Sequence, residues 1–195
     1  MWDLLIQNMA KKNAHLNEEE RSMLPSFFRY RKYRKHQYIL QQGEVSRFES
    51  FVLKGFTRTY LVDDEGEEHV MYFGPEDCWI GDLYSHFSEN PANFNIDCLE
   101  DTEVLQINKN NIEQLCEAIP KLNIFYRHLY RNSIIAHEKR TASILSKSSL
   151  QRYIEFIENF PHIEQRVSNL QIASYLGITP QSLSRLRRQY AEHLK

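Results

Sequence analysis

Val167-Ser-Asn-Leu-Gln-Ile-Ala-Ser-Tyr-Leu-Gly-Ile-Thr-Pro-Gln-Ser-Leu-Ser-Arg-Leu-Arg-Arg188 reads as two short helices joined by a tight turn. From Asn169 to Leu176, apolar or small residues stand at Leu170, Ile172, Ala173 and Leu176, a helical rather than an alternating pattern. Gly177 falls where the chain must reverse, because glycine reaches positive φ without a steric cost. Thr179 is placed to cap a second helix. Pro180 takes that helix's first position, where a missing N–H is no loss. Leu183 and Leu186, three apart, face inward, and Gln181, Ser182, Arg185 and Arg188 share the outer face.

Such a pair is the geometry of a helix-turn-helix. Its first helix crosses a nucleic-acid backbone, and the start of its second enters the major groove. Arginine pairs with guanine O6 and N7, glutamine with adenine N6 and N7, and serine with several base edges or a phosphate. The candidate DNA-contacting residues are Ser168 and Asn169 on the first helix, then Thr179, Gln181, Ser182, Ser184, Arg185 and Arg188. An ordinary helical hairpin with a solvated polar face has the same local pattern, so the rest of the chain has to decide.

The 195 residues are enough to bury a good core in one or two domains. Hydrophobic residues make up 42%, and no run approaches the ~20 apolar residues of a membrane span. The start, Met1-Trp-Asp-Leu-Leu-Ile-Gln7, lacks a basic n-region and a small-residue cleavage site, so a cytoplasmic protein without membrane association is expected. Cys78, Cys98 and Cys116 are odd in number and far apart, which argues for reduced thiols and against a disulfide frame or zinc knuckle. The net charge of −2 conceals an asymmetry. From Ser146 onward seven basic residues face four acidic ones, a balance of +3 that leaves −5 for the remainder. That division suits a polyanion-binding part joined to something else.

The residues up to about Tyr30 read as helical, with Asn17 capping the acidic run Glu18-Glu19-Glu20. The basic run Arg29 to Lys35 suits a nucleic-acid patch or a half-exposed strand, and its alternation favours the strand. Between His36 and Ile107 come short strands with turn punctuation, including a hairpin turn at Asp64-Glu65-Gly66; this is the texture of a sandwich or jelly-roll barrel. A helix from Asn108 precedes a long one, from Pro120 to about Leu145. On it Leu122, Tyr126, Leu129, Ser133, Ala136 and Arg140 follow alternating steps of four and three, the frame of a dimer seam and equally of a core stripe. Ser146 to Ser149 break the pattern, and Leu150, Tyr153, Ile154 and Ile157 mark a further amphipathic helix.

Gly43-Glu44, Val52-Leu53-Lys54-Gly55, Asp64-Glu65-Gly66-Glu67-Glu68, Gly81-Asp82-Leu83, Leu99 to Val104 and Ile172 to Arg185 together resemble the Crp/Fnr family of bacterial transcription regulators. The resemblance implies an α+β protein: an N-terminal β-roll (a jelly-roll of the cyclic-nucleotide-binding type) over 1–118, a long dimerisation helix over 119–145, and a winged helix-turn-helix over 146–195. Little chain follows Arg188, so the wing is expected around His162 to Val167. The family's Arg-Glu-x-x-x-Arg recognition pattern falls on Pro180, Gln181 and Arg185, leaving Arg185 as the main base reader and a target unlike that of the cyclic-AMP receptor.

The effector pocket implied by the same resemblance includes Gly81, Asp82, Leu83, Asn93 and Phe94. Burying a cyclic phosphate needs a paired cation or many N–H donors. No Arg or Lys occurs between Gly81 and Lys109, so cyclic AMP is not expected; the β-roll takes another small molecule or none. The N-terminal cysteines of the oxygen-sensing branch are missing. His86, His128 and His137 lack metal-ligand spacing and read as surface or helix-face residues, so no metal site is expected.

The function that follows is a homodimeric regulator reading a near-palindrome in double-stranded DNA, with half-sites about one helical turn, ~34 Å, apart. RNA polymerase is a further partner in keeping with the resemblance. A ligand-sensing β-roll whose tail makes only protein contacts is the alternative. No phosphate loop, His-Glu-x-x-His or nucleophile elbow is present, so no catalytic residue is assigned.

Overall fold

The computed structural model describes residues 2–161 and 163–193. Two helices, α1 (Trp2–Lys11) and α2 (Glu18–Phe27), lead into strands β1 (Arg29–Tyr33), β2 (Tyr38–Leu40), β3 (Phe48–Lys54), β4 (Thr57–Val62), β5 (Glu68–Gly74) and β6 (Trp79–Ile80). A short helix α3 (Leu83–Ser88) interrupts them before β7 (Asn95–Cys98) and β8 (Thr102–Asn108). The rest is helical: α4 (Lys109–Ala118), α5 (Leu122–Ser146), α6 (Ser149–Asn159), a 3-10 turn (Ile163–Gln165), α7 (Asn169–Leu176) and α8 (Pro180–His193). The strands form two four-stranded sheets, ordered β1-β8-β3-β6 and β2-β7-β4-β5. The basic run after Arg29 is the edge strand β1, paired antiparallel with β8.

Two compact units emerge, residues 1–59 with 73–133, and 60–72 with 134–195. The division falls inside α5, and most of the β4–β5 hairpin is grouped with the C-terminal helices. The grouping has a bonding reason. Ser174 on α7 accepts from the Val70 N–H at 2.9 Å and donates to the Glu68 carbonyl at 2.7 Å, and Arg140 donates to the Val70 carbonyl at 3.2 Å. The exposed edge of β5 is thus satisfied by side chains. The expected wing is not a strand: the 3-10 turn occupies Ile163–Gln165, and no strand follows β8 among the described residues. His162 lies outside the described residues.

In the first unit the register sorts the side chains by face, since opposed residues of an antiparallel pair point the same way. Phe51 stands opposite Leu105 and Val52 opposite Val104. Phe51, Leu105 and Ile107 pack under Leu5, Met9, Leu24, Leu115, Leu122 and Phe125 of the helical layer. Val52 and Val104 face Leu40, Ile80 and Ile96 between the sheets.

Glu49 shares the helix-facing side of β3, opposite Ile107, and is almost fully buried. Its carboxylate accepts from the Tyr130 hydroxyl at 2.7 Å and lies 3.5 Å from His86 Nε2. His86, expected at the surface or on a helix face, lies on α3 and is buried, with Nδ1 3.1 Å from the Ser46 carbonyl oxygen, and burial lowers its pKa. Burial pushes the Glu49 carboxyl up from 4.5 to about 7, against the opposing effect of the Tyr130 hydrogen bond. Its raised folded-state pKa means the folded protein holds a proton that the unfolded chain has released between those values. Stability should therefore fall as pH climbs from about 4.5 to about 7, by up to about 1.4 kcal/mol per pH unit. In urea unfolding across that range Glu49→Gln should flatten this component; an unchanged slope would mean the carboxyl is not the source.

Candidate nucleic-acid interface

The C-terminal unit builds its reading head from three capped helices. Ser148 and Ser168 each form a capping box at the starts of α6 and α7, with Gln151 and Gln171 as reciprocal partners. Gly177 ends α7 in the left-handed conformation, φ 64° and ψ 42°, and Pro180 opens α8. The Thr179 hydroxyl accepts from the Ser182 N–H at 3.2 Å, the N-cap expected of it. Ile172, Ala173, Leu176 and Leu183 are buried, together with Tyr153 and Phe156 of α6 and with Ile163 and Val167. The Phe156 and Tyr175 rings lie 5.2 Å apart. Arg152 clasps the bundle by donating to the carbonyls of Lys147 and Leu176, the C-terminal ends of α5 and α7.

Gln181, Ser184, Arg185 and Arg188 are all exposed and, at three- and four-residue spacing, lie on one face of α8. Ser182 is half-buried and turned toward the cap: its hydroxyl is 3.0 Å from that of Thr179 and accepts from Arg185 Nη2 at 3.1 Å. Ser184 Oγ donates to the Pro180 carbonyl at 3.1 Å. The exposed Ser168 caps α7, while Asn169 accepts from Arg187 Nη1 at 2.7 Å. Arg187 also donates to Glu164 through Nη2 at 2.8 Å, bracing α8 against the 3-10 turn. No spacing rule joins residues 23 positions apart, so sequence inspection missed this brace.

The helix α5 is two-sided. Leu122 and Tyr126 are buried in the core of the first unit and Leu129 packs against it. In the second unit the Arg140 guanidinium stacks 4.0 Å from the Tyr175 ring and donates to the Tyr175 carbonyl. Ser133 is half-buried and Ala136 exposed. The stripe is thus largely consumed within the chain. Ile124, Ile135, Ala142 and Leu145 instead lie exposed on the opposite face, and fall with His128, Arg131 and Glu138 on steps of four and three. The three polar members concealed this second stripe.

At the expected effector loop, Asp82 is buried and Gly81, Leu83 and Phe94 are half-buried, with Asn93 exposed. The Asp82 carboxylate accepts from Ser85 N–H at 3.0 Å and Asn93 N–H at 3.1 Å. Amides that could otherwise meet a phosphate are bound to an internal anion, and the loop supplies no arginine or lysine. The residues present do not fit a cyclic phosphate.

Two four-stranded sheets with a long helix and a capped helix-turn-helix define a sensor-type β-roll joined to a DNA-reading head. Residues 30–119 match the cyclic nucleotide-binding domain model. Electron transport regulator A of Shewanella oneidensis is 25% identical over 183 residues, covering 88% of this chain and 72% of that protein. The fumarate and nitrate reduction regulatory protein of Vibrio cholerae is 24% identical over 189 residues, with the same coverage. In fold, the chain is similar to FixK2 from Bradyrhizobium japonicum, with a TM-score of 0.73 at 17% identity and 85% coverage of each. Residues 30–119 thus carry a domain of the cyclic nucleotide-binding type, and most of the chain is similar to bacterial regulators built on it.

Leu183 is fully buried between the two helices of the motif. Leu183→Ala should destabilise this unit by about 2–5 kcal/mol. Amide hydrogen exchange should then accelerate in α7 and α8 while the β3 and β8 amides keep their protection.

Proposed function

We propose that the chain is a sequence-specific, DNA-binding transcription regulator that acts as a homodimer, with Gln181, Ser184, Arg185 and Arg188 as the face presented to the major groove. The observation behind it is the capped α7–Gly177–α8 unit, whose exposed face carries base-reading side chains with no acidic residue among them. Ser168 at the start of α7 is suited to a phosphate, and Thr179 with Ser182 to shaping the entry of α8. Catalysis forms no part of this proposal. No helix among the described residues is long and apolar enough to cross a membrane, and a cytoplasmic site of action accords with DNA binding. RNA polymerase is a further partner in this scheme.

The dimer seam proposed is the outward stripe of α5, Ile124, Ile135, Ala142 and Leu145, in place of the stripe its own core consumes. Cyclic AMP is not proposed as effector, because Asp82 engages the loop amides and no cation stands nearby in sequence.

Selection of bound duplexes from a random pool should enrich a two-fold symmetric site. Arg185→Ala should cost about 1–3 kcal/mol of affinity and relax preference at one base pair per half-site. An equal loss on every duplex would make Arg185 a phosphate contact instead. In sedimentation, Ile135→Glu should shift the protein toward monomer and weaken DNA binding with it. A folded Ile135→Glu variant that remains fully dimeric would place the seam elsewhere.

A further inference from the structure

The last turn of α7 is held from outside the helix. An α-helix ends with carbonyls that have no partner within it. In α7 the Ala173 and Ser174 carbonyls accept from the Gly177 N–H, and Ala173 also from the Ile178 N–H at 3.0 Å. The next two carbonyls go to arginines. Nε of Arg152, on α6, donates to the Leu176 carbonyl at 3.2 Å, and Nη2 of Arg140, on α5, to the Tyr175 carbonyl at 2.9 Å. Both set positive charge at the negative end of the helix dipole.

The two arginines act from different places. α7 packs on α6 and α8, so Arg152 works inside the three-helix head. Arg140 reaches α7 from the long helix and holds a third element too: Nη2 also donates to the Val70 carbonyl of β5 at 3.2 Å. Its guanidinium lies 4.0 Å from the centre of the Tyr175 ring and 5.8 Å from that of Tyr72. One turn earlier on α5, His137 Nδ1 is 2.6 Å from the Tyr72 hydroxyl. Ser174 completes the triangle by bonding α7 to β5. All of these residues belong to the second unit.

The hydrogen bonds described for this guanidinium go to carbonyls, with no carboxylate among them, and its Nε is buried without a partner. Partial burial of a cation without a counter-charge is costly. The gain is geometric: a flat fork stacks on a ring while bonding two carbonyls, which a lysine does not do.

We propose that Arg140 is the positioning residue of DNA reading, fixing α7, and with it the start of α8, on α5 and β5. The inference rests on the homodimeric, DNA-reading function proposed above. The turn at Gly177 follows directly on the carbonyls that Arg140 and Arg152 hold, and α8 begins three residues later at Pro180. In a dimer seamed along α5, whatever fixes α7 on α5 also fixes the separation and phase of the two copies of α8. Arg140 contacts no base in this role. It lets the second head bind at a high effective concentration once the first is engaged.

Three kinds of duplex test it on the full chain: the symmetric site enriched by selection, a single half-site, and sites whose half-sites are moved apart by one or two base pairs. The wild type should bind the moved sites about tenfold or more weakly than the symmetric one. Arg140→Gln should lose about tenfold on the symmetric site, keep its half-site affinity, and no longer distinguish moved from unmoved half-sites. Arg140→Lys, which keeps the charge without the fork, should behave in the same way, and it replaces Arg140→Gln should that variant not fold. Without DNA, Arg140→Gln should speed hydrogen exchange of the Val70 amide, which Ser174 holds, while the amides within α6 keep their protection. A spacing preference that survives both substitutions, equal losses on half and symmetric sites, restoration by lysine, or unchanged Val70 exchange would each overturn the proposal. Those results leave the dimeric reading standing. A wild type indifferent to half-site symmetry would overturn that reading, and the positioning role with it.

Discussion

Burial of β3 and β8 on both faces is the constraint from which the first unit follows. Phe51, Leu105 and Ile107 need a helical layer, and Val52 and Val104 need a second sheet. A strand buried on both sides cannot alternate polar and apolar residues strictly, and each carries adjacent apolar residues that point to opposite faces, Phe51-Val52 on β3 and Val104-Leu105 on β8. Each polar intrusion into such strands must then be satisfied internally or put to use. Glu49 meets Tyr130 and His86 on the helical side, while Ser50 and Gln106 meet each other on the inner side.

Asp82 shows how a loop can bind its own amides internally. Its carboxylate caps α3 and binds the Asn93 amide, closing the segment on itself. An anion held by backbone N–H groups is stable there without a cation. A second anion would compete for the same donors and be repelled by the first.

What was legible in the sequence follows the range of the interactions involved. Caps and turns are local, so Asn17, Gly177, Thr179 and Pro180 stand where their chemistry put them. The strand at Arg29 was readable from alternation, but not the direction of its arginines, because period two fixes that faces differ without saying which is buried. The hold of Arg187 on Glu164, and of Ser174 on the β5 edge, joins residues far apart in the chain. No propensity or spacing reports such pairs. The α5 stripe is legible as a stripe but its neighbour is not, since a seam and a core face have the same period.

That ambiguity has a physical resolution in α5 itself. A helix with one apolar stripe can serve its own core or a partner, but a helix with two can serve both. Leu122 and Tyr126 are committed to the core, and Arg140 is spent on Tyr175 and Val70. The outward stripe is interrupted by His128, Arg131 and Glu138, so it is weaker than a pure leucine seam but more selective in register. Leu145, 82% exposed near the end of the helix, continues the outward stripe. Covering it by the same residue of a second copy is the least costly solution, because a two-fold axis brings identical stripes together. In the proposed dimer, that two-fold axis would also match a two-fold symmetric DNA site.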